Sequence, residues 1–385
     1  MQKHYDYIIA GAGLAGLSLA YKLKSNPLLR NKTILLVDKD TKQSNDRTWC
    51  FWSNEEEVFE DIVFKKWSNI TYASPSIHKK FEIRPYAYKM IRGIDFYNHT
   101  ISFLKEQKGV DFLFENINSL NSDAKGVTLN THNHTISGGH AFKSYYEQSL
   151  DFSKDIFVWQ HFKGIIVKTP TDTFDIDNAH FMDFRVPQDD ETRFFYVLPT
   201  SKREALVEIA IFSSEIPNSE FYDPFIKTYI KEKLGIAEYE ILEVELGAIP
   251  MTTHNFQQET VPHITRIGTN GGSVKASSGY AFKRIQEDTD LIVDLIIQNK
   301  LDKYNPRNNR FLFYDKIMLD AILSGSTTGE TVFTKLFKNL KPQTIFKFLD
   351  EKGSFFNDLK IFTAPPTWPF LKSFFKVVFN FTLFR

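Results

Sequence analysis

The sequence predicts an α/β fold built on a Rossmann-type dinucleotide-binding domain, and three stretches predict it. An apolar run, Tyr5–Ala10, leads directly into the glycine pattern Gly11, Gly13 and Gly16. Behind the glycines, Leu17, Leu19, Ala20 and Leu23 carry a helical pattern. A second apolar run, Ile34–Val37, then ends on Asp38, where such a motif places an acid about 20 residues past its glycines.

Each part of this opening has a physical job. Gly11 permits the tight turn, Gly13 lets a pyrophosphate approach the backbone, and Gly16 lets helix and strand pack closely. Backbone N–H groups and the positive end of the helix dipole face the phosphates. Asp38 accepts from a ribose hydroxyl and would repel a 2′-phosphate, which favours FAD or NAD over NADP at this site.

Composition sets the outer limits. At 385 residues the chain buries a large core, as one big or two medium domains. Lys+Arg and Asp+Glu both total 47, so nothing favours a polyanionic partner and nucleic acid is not expected. One cysteine, Cys50, excludes an intramolecular disulfide and a cysteine metal cluster. No His/Asp/Glu cluster has metal-ligand spacing, so no metal is expected. No leader pattern precedes the first strand and no apolar run is long enough to span a bilayer, which leads us to expect a cytoplasmic protein. The 37 Phe, 16 Tyr and 5 Trp stand out, and they suit a large apolar cavity.

Past the first βαβ unit, Asp46-Arg47-Thr48-Trp49-Cys50-Phe51-Trp52 puts a polar cluster beside two tryptophans, with Arg47 and Thr48 candidates for fixing a flavin or its phosphates. Met90 to Leu104 reads as an amphipathic helix and Val110–Phe114 as the next strand. From Phe157 to Ile249 the pattern becomes strand-rich, and the turn Pro199–Arg203 joins Phe194–Leu198 to Ala205–Phe212 as a hairpin. Glycine-rich sequence returns at Gly268, Asn270, Gly271, Gly272 and Gly279, before a helical pattern through Leu291 and Leu295. One long cofactor touched at both glycine clusters is a dinucleotide with a flavin end, the second cluster taking the isoalloxazine. The expected organisation is a discontinuous FAD domain over 1–150 and 255–300, an antiparallel substrate domain over 151–254, and a helical carboxyl-terminal region over 301–385.

Taken together these stretches resemble the bacterial flavoprotein-type lycopene cyclases. The resemblance is carried by the opening motif, Asp46–Trp49, Gln160–Gly164, Phe181–Arg185, Tyr196–Pro199, Gly247–Thr252 and Gly268–Phe282. It implies a glutathione-reductase-like FAD domain and closure of β-ionone rings on the ends of lycopene. It also implies FAD used in reduced form, NAD(P)H as reductant, and no net oxidation of substrate. The hairpin motif of the family carries two acids followed by threonine, whereas this chain reads Glu208-Ile209-Ala210 and lacks the second acid. Ile165 and Lys143 are further departures from the family pattern. An aromatic-type monooxygenase or isoprenoid reductase, and a non-catalytic membrane-associated flavin-binding protein, are the alternative readings.

Ring closure needs a proton delivered to a terminal alkene, attack by an internal double bond and loss of a ring proton. The acid must stay protonated until it acts, which an apolar pocket achieves by raising its pKa. Glu208 is the candidate, sharing one strand face with Leu206, Ala210 and Phe212; the strand pattern alone reads as a half-exposed face. His161, Phe162, Tyr196 and Phe212 are candidates for the substrate wall. Asp183 with Arg185 reads as a surface ion pair, and Glu245 as holding a turn or lying on a solvated face. At the carboxyl end, Lys372, Lys376 and Asn380 recur every fourth position among Phe374, Phe375, Phe379, Phe381, Leu383 and Phe384. That pattern suits either a peripheral contact with the inner membrane, where lycopene would be collected, or docking into the core.

Overall fold

The computed structural model describes residues 3–145, 152, 155–256, 261–306 and 309–383, with side chains as far as Phe379. The opening folds as predicted, into β1 (His4–Ala10), α1 (Leu14–Ser25) and β2 (Ile34–Asp38). The chain then leaves the first sheet to form β3 (Thr48–Ser53), β4 (Lys65–Trp67), β5 (Asn69–Ser74), β6 (Ile77–Glu82) and β7 (Ala87–Arg92). It returns through α2 (Gly93–Lys105) and β8 (Val110–Phe114), followed by β9 (Ile117–Asp123), β10 (Gly126–Thr131) and β11 (Thr135–Lys143). The helix expected from Met90 therefore begins at Gly93. Met90–Arg92 instead pair with Thr48–Cys50 of β3, since a short apolar run satisfies either period.

The first sheet has the order β8-β2-β1-β11-β10-β9, parallel from β8 to β11 and antiparallel through β10 and β9. The chain comes back to it much later with β17 (Ile264–Arg266), parallel to the end of β11. A short 3-10 turn, Gly268–Gly271, follows β17.

Between these visits the chain lays down β12 (Phe157–Lys168), β13 (Asn178–Asp183), β14 (Thr192–Pro199), β15 (Glu204–Ser213), α3 (Asp223–Glu232) and β16 (Glu240–Thr252). The second sheet runs β16-β12-β15-β14-β13-β5-β6, antiparallel except where β13 meets β5. Its hairpin, β14 to β15, is the predicted one. Its far end is built by β5 and β6, so the sheet recruits residues from outside 151–254. Helix α3 was not foreseen in a stretch read as strand-rich. Its signals were Pro224 in the first turn and the spacing of Ile226, Tyr229 and Ile230.

Both faces of the second sheet are covered. Ala205, Val207, Ile209 and Ile211 pack with Tyr222, Ile226, Tyr229 and Ile230 on the α3 side. Leu206, Ala210 and Phe212 join an aromatic core on the other, as the strand alternation requires. That second layer comes from α5 (Asn309–Leu323), α6 (Gly329–Asn339), α7 (Pro342–Leu349), α8 (Phe355–Thr363) and α9 (Thr367–Leu383), whose Phe311, Phe333, Phe337 and Phe346 enter the core, whereas α4 (Phe282–Ile297) packs on α1. Each such side chain contributes about 1.5–3 kcal/mol on burial. Glu208 itself keeps partial exposure, while its neighbours on both faces of the strand are buried.

Helix α9 lies along α5, with Phe374 edge-on to Phe313 and the Lys376 ammonium paired with the Asp320 carboxylate. Its opposite side leaves Trp368, Phe375 and Phe379 exposed, near Phe355 and Phe356 of α8 in sequence. The expected stripe is therefore partly tied down at Lys376, while the side chains of Asn380, Phe381 and Leu383, and Phe384 itself, lie outside the described residues. No helix among the described residues is long and apolar enough to cross a membrane.

Asp183, read with Arg185 as a surface pair, is interior instead, and Arg185 is part-buried. Asp183 is fully buried, and Arg185 holds it through Nε at 2.9 Å and Nη2 at 2.6 Å. Tyr229 on α3 donates its hydroxyl to the same carboxylate at 2.7 Å. Burial pushes the Asp183 carboxyl up, but the Arg185 and Tyr229 bonds outweigh it and hold it below the usual carboxylate range. The pair fastens α3 to the sheet. Asp183→Ala should lower the unfolding free energy in urea by about 3–5 kcal/mol, and Tyr229→Phe by about 1 kcal/mol. A loss under about 1 kcal/mol for Asp183→Ala would show that the pair does not fasten the helix.

Candidate active site

The three opening glycines meet three different surroundings. A Cβ on Gly11, whose φ is +104°, would stand 2.3 Å from Ser144 Oγ. One on Gly16 would stand 2.0 Å from the Gly11 carbonyl oxygen, so helix and strand touch there. At Gly13 a Cβ would meet nothing within 4 Å, because this residue opens on a cavity at the start of α1. Asp38 lies at the end of β2, where its carboxylate accepts from Ala12 N at 2.7 Å and Asp40 N at 2.9 Å. It is therefore locked to the glycine loop.

The cavity, of about 410 Å³, runs from Gly13 and Leu14 past Arg47–Cys50 to the second sheet. Its other wall comes from the second glycine segment, so the fold joins two clusters far apart in sequence. The division of labour there differs from the expectation. Thr269, Val274, Ser278 and Gly279 line the cavity, whereas Gly268, Asn270, Gly271 and Gly272 hold the turn behind them. Gly268 has φ +63° and would bring a Cβ within 2.7 Å of Ala15 Cβ on α1, which seats this turn directly on the first motif. Buried oxygens without protein partners remain at Ser278 Oγ, Gln160 Oε1 and Asn270 Oδ1. An open cradle at a helix N-terminus and the unpartnered Ser278 and Gln160 oxygens along one channel fit an elongated dinucleotide.

At the inner end, one row of residues crosses the second sheet. Tyr196 on β14 stands opposite Glu208 on β15, Glu208 opposite Gly164 on β12, and Gly164 opposite Glu245 on β16. Tyr196, Glu208 and Glu245 all line the cavity. Burial, and then the like charge of Glu245 hydrogen-bonded to it, push the Glu208 carboxyl well above the usual glutamate range. Glu245, read as a turn residue or a solvated one, is buried, and its Oε2 accepts from Thr48 Oγ1 at 2.8 Å. The second carboxyl that the hairpin lacks thus comes from another strand.

Aromatic and uncharged groups surround this pair. Tyr196 and Tyr280 meet hydroxyl to hydroxyl at 3.2 Å, and Tyr280 stands edge-on to Trp52 with centroids 4.6 Å apart. Burial pushes the Cys50 thiol and the Tyr88 phenol up, so both stay neutral. Phe162 lines the cavity by lying across Gly247, where a Cβ would be 2.4 Å from its ring. A carboxyl kept protonated in such surroundings can act as a general acid.

Two expected wall residues are placed elsewhere. His161 follows Gln160 and precedes Phe162, both of which face the cavity, so strand alternation turns it to the α3 side. There its Nε2 meets Ser213 Oγ at 2.7 Å and its Nδ1 the Tyr222 hydroxyl at 2.7 Å. Burial, helped by Arg193, lowers its pKa to about 4, and it serves as a neutral core residue. Phe212 shares the face of Glu208 but is covered by the core, edge-on to Phe194. Arg47 does line the cavity, with Nη1 2.6 Å from the Asp46 carbonyl.

The cavity segment is tied to the helical layer by a buried cation. Lys275 Nζ lies 2.8 Å from Asp315 Oδ1 on α5 and 3.1 Å from Glu351 Oε1 beyond α7. Ser277 Oγ also donates to Asp315 at 2.6 Å, and Arg284 on α4 reaches Glu351 at 2.6 Å.

Comparison with known proteins agrees with this architecture. A geranylgeranyl bacteriochlorophyll reductase-like protein of Thermoplasma acidophilum superposes with a TM-score of 0.58 at 12% identity, over 96% of each chain. HpxO of Klebsiella pneumoniae, solved as a variant in complex with FAD, gives 0.63 at 12% identity, over 91% of this chain and 98% of that one. Glucose oxidase of Penicillium chrysogenum is 48% identical over 44 residues, only 11% of this chain and 7% of that enzyme's length. The structural neighbours, at such low identity, share the fold. The family described as lycopene cyclase protein matches residues 6–374, nearly the whole chain, which therefore belongs to the lycopene cyclase protein family.

Proposed function

We propose that this protein is a lycopene β-cyclase that binds FAD, works with it in reduced form and takes its electrons from NAD(P)H without net oxidation of the substrate. The observation that carries the reading is Glu208: a carboxyl held above its ordinary pKa at the aromatic end of a cavity that begins at a phosphate cradle.

The chain's own residues divide the work. Gly13 and the N-terminal backbone of α1 would hold the pyrophosphate, Asp38 a ribose, and Thr269 with Ser278 and Gly279 the flavin end. Reduced flavin, when bound, supplies an electron-rich face beside which positive charge is stabilised. Glu208 breaks its O–H bond as a C–H bond forms on the terminal alkene. The internal double bond then closes the ring, and a ring proton returns to the site. Tyr88, Tyr196 and Tyr280 turn aromatic groups towards the cation and help to exclude water. The exposed Trp368, Phe375 and Phe379 of α9, with Lys372, would rest in the headgroup region of the inner membrane, where an insoluble hydrocarbon is collected.

Four measurements test this reading. In cells that accumulate lycopene, the chain should produce cyclic carotene while consuming far less than one NAD(P)H per ring; stoichiometric consumption would point to a reductase or monooxygenase. Glu208→Gln should keep its flavin and lose at least about 100-fold in ring formation, and full activity would remove Glu208 from the mechanism. Gly13→Val should fold, since its Cβ meets nothing, yet be purified without flavin; wild-type flavin absorbance would refute the cradle. Removing residues 367–385 should abolish sedimentation with anionic vesicles, and unchanged sedimentation would exclude α9 as the contact.

A further inference from the structure

Glu208 and Glu245 meet across a gap. Neighbouring strands lie about 4.8 Å apart, so side chains two strands apart touch only by leaning over the residue between them. That residue is Gly164. A methyl group there would stand 3.0 Å from Cγ and 3.1 Å from Oε1 of Glu245, and 2.9 Å from Leu206 Cδ1. The space a side chain would take is thus used by Glu245.

Both carboxyl groups thus lie on one face of the sheet, over a residue with no side chain and beside the same cavity, and two carboxyls sharing so apolar a site retain a proton between them. The Thr48 hydroxyl donates to Glu245 Oε2 at 2.8 Å, so that oxygen already serves as an acceptor. Tyr196 and Leu206, by contrast, face Glu208 with a phenol and an apolar chain.

We propose that Glu245 is a positioning residue that shares one proton with Glu208, held by Thr48 so that Glu208 presents its hydrogen to the cavity, and that Gly164 is the opening through which they meet. The chemical purpose of the pair rests on the cyclase reading; its existence does not. When Glu208 gives its proton to the alkene the pair is left doubly ionised and strongly basic, which suits it to recover the proton released from the ring. The pair then begins and ends each cycle with one proton, and no oxidant or reductant enters the balance. The other titratable groups around Glu208 are Tyr196 from β14, Cys50 from β3, Tyr88 from β7 and Tyr280 from the second glycine segment, with Asp46, Lys42 and Arg47 further along the cavity.

The test is a carboxyl titration of the full-length protein, labelled with carbon-13 at glutamate carboxyls and followed by infrared difference spectra without substrate. Wild type should show one glutamate that stays protonated well above the ordinary range, and Glu208→Gln should lack it. In Glu245→Gln the midpoint should fall by about one pH unit or more, a tenfold drop in proton affinity, because the like charge is gone while burial remains. Gly164→Ala, which keeps both carboxyls but pushes them apart, should move it in the same direction by less. It decides the question alone if Glu245→Gln does not fold. The alkaline limb of the pH profile for ring formation should follow the midpoint downward in each variant, a shift that a merely structural role for Glu245 would not produce. An unchanged midpoint in a folded Glu245→Gln or Gly164→Ala, or no such glutamate in wild type, overturns the pair and leaves the cyclase reading untouched. Failure of wild type to cyclise lycopene, with the titration as expected, overturns the cyclase reading and leaves the pair.

Discussion

Covering the second sheet on both faces is the constraint from which the chemistry of the site follows. With α3 on one side and the aromatic helical layer on the other, a carboxylate on β15 cannot be solvated as it would be on an open sheet. Burying an isolated charge costs several kcal/mol, so the neutral form of Glu208 is favoured before any neighbour is considered. The same burial holds Cys50, Tyr88 and Tyr280 in their neutral forms. The aromatic abundance of the sequence finds its use in that layer, where Trp52 stacks on Phe346 and Tyr72 on Phe337.

The cofactor end depends on a different contact, the seating of a late turn on an early helix. Strand β17 returns beside β11, and the turn after it lies against Ala15 because Gly268 carries no side chain. Two segments more than 200 residues apart in sequence then form opposite walls of one channel. Neither wall would be a site alone. The first supplies a helix N-terminus and an open backbone, and the second supplies polar side-chain oxygens at Thr269 and Ser278.

How far the sequence could be read follows from the range of the interactions involved. The first βαβ unit and the β14–β15 hairpin were legible because glycine spacing and turn residues act within a few positions. The faces of β15 were legible too, as alternation is strictly local. What covered those faces was not, so the alternation could not tell that the partial exposure of Glu208 is to a cavity. His161 and Phe162 are adjacent, so only one can face the cavity; the choice depends on the register of β12 with β15, a long-range fact. Glu245 was misjudged for the same reason, since its partner is fixed by the pairing of β12 with β16. A glycine turn such as Gly268–Gly272 carries no mark that separates lining from support. Helix α3, by contrast, had readable signals in Pro224 and the apolar spacing behind it.

The knot around Lys275 bears on how the hydrocarbon proposed as substrate would enter. Swinging the carboxyl-terminal helices away from the cavity would pull Asp315 and Glu351 off a lysine with almost no access to water. Breaking such a buried pair costs about 3–5 kcal/mol, and Ser277 and Arg284 add further bonds to the same acids. The carboxyl-terminal helical layer is thus held fast to the segment that lines the cavity. On the proposed function, a hydrocarbon would have to enter without displacing these helices.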